Sequence, residues 1–402
     1  MKEKIVVILG DGMADLPDEK GSTPLSAAFK PNADRLAKTA EIGLCRTVPE
    51  GMKPGSDTAN LSVIGYDPSE CYTGRSPLEA VSMGIKLGDS DITFRANLVT
   101  LAGGKMLDYS AGEITTAEAR TLIEYVASRL DTPGFELYPG VSYRHCLVRR
   151  NHALSGSTLT PPHDITGRDY APYLPSGGDC EVLKAIMLKS QELLRDHPIN
   201  LKRRQAGLNE ATSLWLWGEG TKPRLDNFKT KYGLSGAMIS AVDLLKGIAL
   251  CAGMRSIDVE GATGTLSTNF DGKARAAIEA LESGCDYVYV HLEAPDECGH
   301  QGDRDGKRRA IELIDEKIIA PINGYLSDKG VRYKLAFLPD HPTPTSTRTH
   351  SGDPVPYMIY DSVQSHDGAE KFDEFSAAAS GNFIEKGCML TEKLTFFSEK
   401  RK

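Results

Sequence analysis

The chain has 402 residues, enough for two or three domains at the usual size of roughly 100–200 residues each. Its 40% hydrophobic and 25% charged residues, with Gly 39 and Pro 22, exclude disordered, fibrous and membrane-embedded classes. A formal charge of −8, from 47 basic and 55 acidic side chains without a long basic run, argues against nucleic acid as the main partner.

The N-terminal MKEKIVVILGDGMAD has a short apolar run closed at once by Gly and Asp, too brief for a signal peptide or a membrane span. It predicts a buried first strand over 4–9 that ends at Asp11. Residues 31–40 resemble a helix. In EGMKPGSDTANLSVIGYDP, residues 50–68, Ser56 follows a Gly- and Pro-containing loop and precedes an apolar stretch able to open a helix. Two readings stay open there: Ser56 as an ordinary helix N-cap, or as an oxygen placed where free N–H groups favour an alkoxide or a phosphate. No GxSxG elbow surrounds it.

From 115, TTAEARTLIEYVASRL opens with Thr115 three residues before Glu118, a capping-box pattern, and lines Ala119, Leu122, Ile123, Val126 and Leu130 along one helical face. The stretch 131–180, rich in Pro, Gly, His and Tyr, predicts ordered loops or a binding lobe more than regular structure. Helical periods return at 181–194 and 271–284, with Gly284 placed to end the second. A strand over 286–292, a helix over 305–326 and strands over 332–338 and 355–360 follow. Alternating helices and strands imply a mostly parallel, doubly wound sheet. Eight scattered cysteines with no CxxC predict reduced thiols and a cytoplasmic setting.

In such sheets ligands bind at the carboxyl ends of strands. Three predicted strands end in ionisable groups: the first at Asp11, DYVYVHLEAP at Asp296 and His300, and YKLAFLP at Asp340 and His341. Four of the nine histidines, His291, His300, His341 and His350, fall between 291 and 350. Imidazole with carboxylate suits Mn²⁺, Zn²⁺ or related ions better than Ca²⁺. No spacing matches HExxH or a zinc finger, so solvated loops with ion pairs remain the rival reading. His145, His152, His197 and His366 have no such context and read as surface or loop residues.

Across nearly its whole length the chain resembles the cofactor-independent phosphoglycerate mutases, in the shorter archaeal-type branch of the alkaline phosphatase superfamily. The resemblance rests on VILGDGMAD (7–15), KPGSDTANLSVIGYDP (53–68), GRSPLEA (74–80), TFRANLVT (93–100), PPHDITG (161–167), VHLEAPDECGH (290–300), PDHPTPT (339–345) and THSGDPVP (349–356). It implies an alkaline-phosphatase-like, doubly wound α/β fold: a discontinuous metal-binding catalytic domain, 1–70 and 230–402, with a second α/β or α+β domain inserted at 71–229 that binds substrate and closes to exclude water.

It also implies two divalent metal ions, manganese as first choice and zinc, magnesium or cobalt as alternatives. Asp11, Ser56, Asp340 and His341 would hold one ion, and Asp296, His300 and His350 the other. Ser56 would be the nucleophile that carries a phosphoryl group between the hydroxyls of 3-phosphoglycerate and 2-phosphoglycerate. Arg75, Arg95, Arg144, His163, Asp164 and Arg168 are the candidates for binding a small phosphorylated carboxylate. His291 and Glu293 would orient ligating groups. Neither nucleic acid nor membrane is expected as a partner. The rivals are a relative that hydrolyses a phosphomonoester or transfers to an acceptor such as homoserine, and a silent metal-stabilised binding protein.

Overall fold

The computed structural model describes residues 3–152 and 156–395. Residues 1–2 and 396–402, at the two ends of the predicted catalytic domain, and 153–155, within the predicted loop-rich stretch, lie outside the described residues. The chain divides into two compact units, Met1–Tyr72 with Arg224–Lys402, and Thr73–Pro223. Its strands are β1 (Lys4–Gly10), β2 (Glu41–Cys45), β3 (Ile92–Ala102), β4 (Lys105–Asp108), β5 (Phe135–Val141), β6 (Arg144–Arg149), β7 (Ser213–Thr221), β8 (Gly236–Ile239), β9 (Arg255–Ile257), β10 (Tyr287–Leu292), β11 (Tyr333–Leu338), β12 (Val355–Asp361) and β13 (Phe383–Ile384).

The first unit holds an eight-stranded sheet in the order β13-β2-β12-β11-β1-β10-β8-β9. β1 runs parallel to both β10 and β11, and β8 and β9 extend the parallel run, whereas β12 is antiparallel to β11 and β2. The three central strands read as near-continuous apolar runs, broken by His291 in β10 and Lys334 in β11, because both faces are covered. Val6, Ile8, Val288, Val290, Leu335 and Phe337 pack in one core, while the alternating Ile5, Val7, Tyr287, Tyr289 and Leu338 have no exposed surface either. Burying each such side chain contributes about 1.5–3 kcal/mol, so the centre of the sheet is a rigid platform for whatever follows its strand ends.

Helices form where the apolar period asks for them, and two boundaries need tertiary causes. The helix expected over 305–326 is two α-helices, Arg304–Ile314 and Ala320–Asp328, joined by a π-helical segment, Asp315–Ile319. Pro321 has no N–H for the ladder, and the wider turn absorbs the defect. Within that segment Asp315 accepts from the N–H groups of Ala33 at 2.7 Å and Asn32 at 3.2 Å, capping the helix Pro31–Ala37 in place of Lys30, which cannot.

The second unit is α+β. Its antiparallel sheet runs β4-β3-β6-β5, with β7 paired to the other side of β3. Thr115 caps the helix Thr116–Ala127 as its spacing predicts, accepting from the Glu118 N–H at 3.3 Å. The stretch expected to be mainly loop contains the β5–β6 hairpin. His145 departs from its reading as a surface residue: it is 4% exposed on β6, and its Nδ1 accepts from the Gly140 N–H at 3.0 Å. No helix among the described residues is long and apolar enough to cross a membrane.

Candidate metal centre and active site

Adjacent parallel strands deliver the predicted ligands to one edge of the first unit's sheet. β1 leads directly into Asp11, β11 leads into Asp340 and His341, and β10 runs into the helix Ala294–Gln301, which carries Asp296 and His300 one turn apart. His341 Nε2 lies 3.5 Å from both Asp11 Oδ1 and Asp340 Oδ2. His300 Nε2 is 3.3 Å from Asp296 Oδ2, His350 Nε2 is 3.6 Å from Asp296 Oδ1, and the two imidazole nitrogens are 3.0 Å apart. The cluster grades outward from Asp11, Asp340 and His341, all buried, to Asp296 and His350, half-buried, and His300, exposed.

Ser56 is the first residue of the helix Ser56–Ile64 and does not cap it; Gly55 occupies the cap position. The serine Oγ instead points to the cluster, 3.2 Å from His341 Nε2. The local backbone is shaped to allow this crowding. Gly12 has φ +59°, and a Cβ there would lie 2.5 Å from Asp296 Oδ1, so glycine alone fits. Its N–H donates to Asp340 Oδ1 at 3.0 Å. Lys307, fully buried, ties the two ligand-bearing loops together by donating to the carbonyls of Ala14 at 3.0 Å and Thr343 at 2.8 Å, with Asp15 as its counter-charge at 2.9 Å.

Electrostatically the carboxylates crowd one another. Burial and the neighbouring Asp340 and Asp296 carboxylates push Asp11 well above the ordinary carboxylate range. Burial would raise Asp296 as well, but the His300 and His341 imidazoles and the Thr343 hydroxyl hold it well below that range. Hydrogen bonding to Asp296 lifts His300 to about 9, while burial and His341 push His350 down. Carboxylates this close cannot all ionise without a counter-ion. Asp11 Oδ1 is also a buried carboxylate oxygen without a hydrogen-bond partner. Asp11, Asp340 and His341 form one group of converging donor atoms and Asp296, His341 and His350 another, each within 4.8 Å. A mixed oxygen and imidazole set of this kind fits divalent ions such as Mn²⁺ or Zn²⁺. His341 lies between the groups, a sharing that spacing along the chain does not reveal.

Behind Asp11 lies a charged network buried in the same unit. His291 Nε2 is 3.1 Å from Asp11 Oδ2, its Nδ1 is 3.0 Å from Glu293 Oε1, and Lys273 Nζ reaches Glu293 Oε2 at 2.6 Å. Burial would lower His291, but Asp11 and Glu293 outweigh it and lift the imidazole to about 10. His291 thus bridges two carboxylates, and Ser240 donates to the same Glu293 Oε1 at 3.1 Å.

In the second unit, Arg75, Arg95, Arg144 and His163 form a basic and aromatic cluster. Glu79 pairs with Arg75 Nε at 3.0 Å and with Arg95 Nε at 2.9 Å. The Arg95 guanidinium stacks 4.1 Å from the Trp217 ring centroid, and His163 meets the same ring edge-on at 5.3 Å. Arg144 lies 5.7 Å from the Tyr143 ring. Burial lowers His163 more than the facing Asp164, 3.6 Å away, raises it, and Arg95 and Arg75 lower it further. Arg168 is exposed in the turn after Pro162–Ile165, where its backbone pairs with Ile165 and Met106, apart from these side-chain contacts. Sequence reasoning missed Trp217 and Glu79. No alternation in β7 could have flagged the first, because residues 213–216 are all buried and Trp217, on the same face as the buried Trp215, is only partly so.

An α/β protein with carboxylates and imidazoles converging at the carboxyl ends of parallel strands, beside a helix-start serine, belongs to the class of enzymes built around a divalent-metal centre. The sequence profile of 2,3-bisphosphoglycerate-independent phosphoglycerate mutases matches residues 37–200. A protein of that name from Methanothrix thermoacetophila is 51% identical over 96% of this chain and 97% of its own. A probable one from Geobacter sulfurreducens is 50% identical over 97% and 99%. The solved cofactor-independent phosphoglycerate mutase of Thermoplasma acidophilum superposes with a TM-score of 0.68 at 28% identity, covering 98% of this chain and 99% of that one. The chain belongs to the 2,3-bisphosphoglycerate-independent phosphoglycerate mutase family.

Proposed function

We propose that the chain interconverts 3-phosphoglycerate and 2-phosphoglycerate through a phosphoserine at Ser56, without a bisphosphoglycerate cofactor and in the cytoplasm. Asp11, Ser56, Asp340 and His341 would hold one divalent ion, manganese by preference, and Asp296, His300 and His350 a second. When bound, the ions supply positive charge that favours an ionised serine and the anionic phosphoryl group in transfer. Ser56 Oγ forms a bond to phosphorus as the bond from phosphorus to the substrate's 3-oxygen breaks, and that oxygen takes up a proton. The 2-hydroxyl then loses its proton, attacks the phosphoserine and releases Ser56. One proton enters and one leaves, so a relay at His163 and Asp164 balances the cycle.

Arg75, Arg95 and Arg144 are assigned to the substrate's phosphate and carboxylate, which guanidinium forks grip bidentately. Excluding water keeps the phosphoserine from hydrolysis, the step that would turn a mutase into a phosphatase. The observation that carries this reading is the 3.2 Å approach of Ser56 Oγ to His341 Nε2 beside Asp11 and Asp340. An enolase-coupled assay with 3-phosphoglycerate tests it, with Mn²⁺, after chelation, and with Ser56→Ala. Conversion that vanishes on chelation and falls at least about a thousandfold in the variant supports it. Release of inorganic phosphate in place of 2-phosphoglycerate would favour a hydrolase.

A further inference from the structure

We propose that Asn60 is a positioning residue that fixes Asp340 against the serine-bearing helix and thereby sets the affinity of the metal centre. The inference rests on the reading in which Ser56 and Asp340 share one ion. Asn60 lies one helical turn after Ser56 and has no exposed surface. Its side-chain nitrogen donates two hydrogen bonds, one to the Ser56 carbonyl at 2.8 Å and one to Asp340 Oδ2 at 2.8 Å. Its side-chain oxygen accepts from the Tyr289 hydroxyl at 2.6 Å.

Every polar position on this amide is used, and only one orientation serves. A flipped amide would set its oxygen against two other acceptors and its N–H groups against a hydroxyl donor. Tyr289 is wholly buried on β10, and burial, with Tyr287, Asp340 and Asp11 nearby, holds its proton well above the ordinary phenol range. It therefore remains a donor and locks the amide.

Asp340 is the beneficiary. Its Oδ1 is held by the backbone N–H groups of Gly12 at 3.0 Å and His341 at 2.9 Å, both within the ligand loops. Its Oδ2 takes its one hydrogen bond among the described residues from Asn60, a residue 280 positions away. Asn60 is thus the link that makes the carboxylate plane follow the start of the Ser56 helix. A neutral donor suits this place. It orients the carboxylate without cancelling the charge an ion needs, which a lysine or arginine would do.

The test compares wild type, Asn60→Ala and Tyr289→Phe by calorimetric titration of Mn²⁺ into chelator-stripped protein, with thermal melts and with kcat and KM for 3-phosphoglycerate at saturating Mn²⁺. Asn60→Ala is expected to weaken Mn²⁺ binding about 10–100-fold, in the range for partners that orient metal ligands. It should lower kcat while KM stays within about twofold, because the substrate's anionic groups are assigned to other residues. Tyr289→Phe, which only frees the amide, should shift Mn²⁺ affinity the same way by a smaller factor. If Asn60→Ala does not fold, Tyr289→Phe decides alone. Mn²⁺ affinity within about twofold of wild type in the folded variants overturns the proposal, as does wild-type protein that binds no Mn²⁺. A wild type that binds Mn²⁺ but does not convert 3-phosphoglycerate overturns the mutase reading, and the affinity comparison still judges Asn60.

Discussion

At Ser56 and Gly12 single side chains decide what the strand ends can do. The serine escapes a capping role because Gly55 takes the cap, leaving its oxygen to face His341. Gly12 lets β1 turn under Asp296 in a left-handed conformation that no side chain fits. Gly12→Ala should cost about 2 kcal/mol or more, from backbone strain and from displacing Asp296. Urea midpoints check it, and a midpoint equal to wild type would mean the loop has room to shift. Arg95 is a second case, held by Glu79 and stacked on Trp217. Arg95→Lys keeps the charge but loses both the planar fork and the stack, so KM for 3-phosphoglycerate should rise about tenfold or more, with kcat less affected. An unchanged KM would take Arg95 out of substrate binding.

At the scale of elements, the β5–β6 hairpin carries a pH dependence of its own. Burial, with Arg120 adding to it, lowers His145 from 6.5 to about 3, so the folded hairpin holds a neutral imidazole where the unfolded chain would hold a charged one. Between those values the unfolded state binds the extra proton. Stability from this residue is therefore complete above about pH 6.5 and falls as pH drops below it, by about 2 kcal/mol at pH 5 at roughly 1.4 kcal/mol per unit. His145→Gln retains an acceptor for the Gly140 N–H and removes the titration. Its loss of stability from pH 7 to pH 5 should be smaller than wild type's by about that amount, read from urea midpoints; parallel curves would refute the assignment.

The same hairpin shows why local patterns mislead. Its Pro139 and Gly140 signal loop, but β6 pairs with β3 and β5 pairs with β6, so both arms become strand, and a bulge between Tyr138 and Val141 takes up the irregularity. Along 305–326 the apolar period is continuous, and the π-helical break at Asp315–Ile319 follows from one proline and from a helix start nearly 300 positions earlier that needs the Asp315 carboxylate.

At the scale of the molecule, connectivity sets what can fold alone. β1 and β2 find their partners in β10, β11, β12 and β13, all after residue 224, whereas the strand ladders of the second unit among the described residues join its own strands. A fragment of residues 73–223 should therefore unfold cooperatively, with near-ultraviolet dichroism from the buried Trp215, while a 1–72 fragment should not. A structureless 73–223 fragment would show that its core needs the rest of the chain.

The sequence alone determined the central strands, because strands covered on both faces are apolar at nearly every position, and it located the strand ends by the Asp and His residues that close those runs. It also supplied the family resemblance, through motifs at such ends, around Ser56 and within residues 74–167 of the second unit. Only the tertiary structure decided that His341 stands between two groups of donors, that His291 and Glu293 sit behind Asp11, and that Asn60, Glu79 and Trp217 hold neighbours in place. These roles depend on contacts between residues as far apart as Asp11 and His341, and periodicity records which face a side chain takes but not what it meets there.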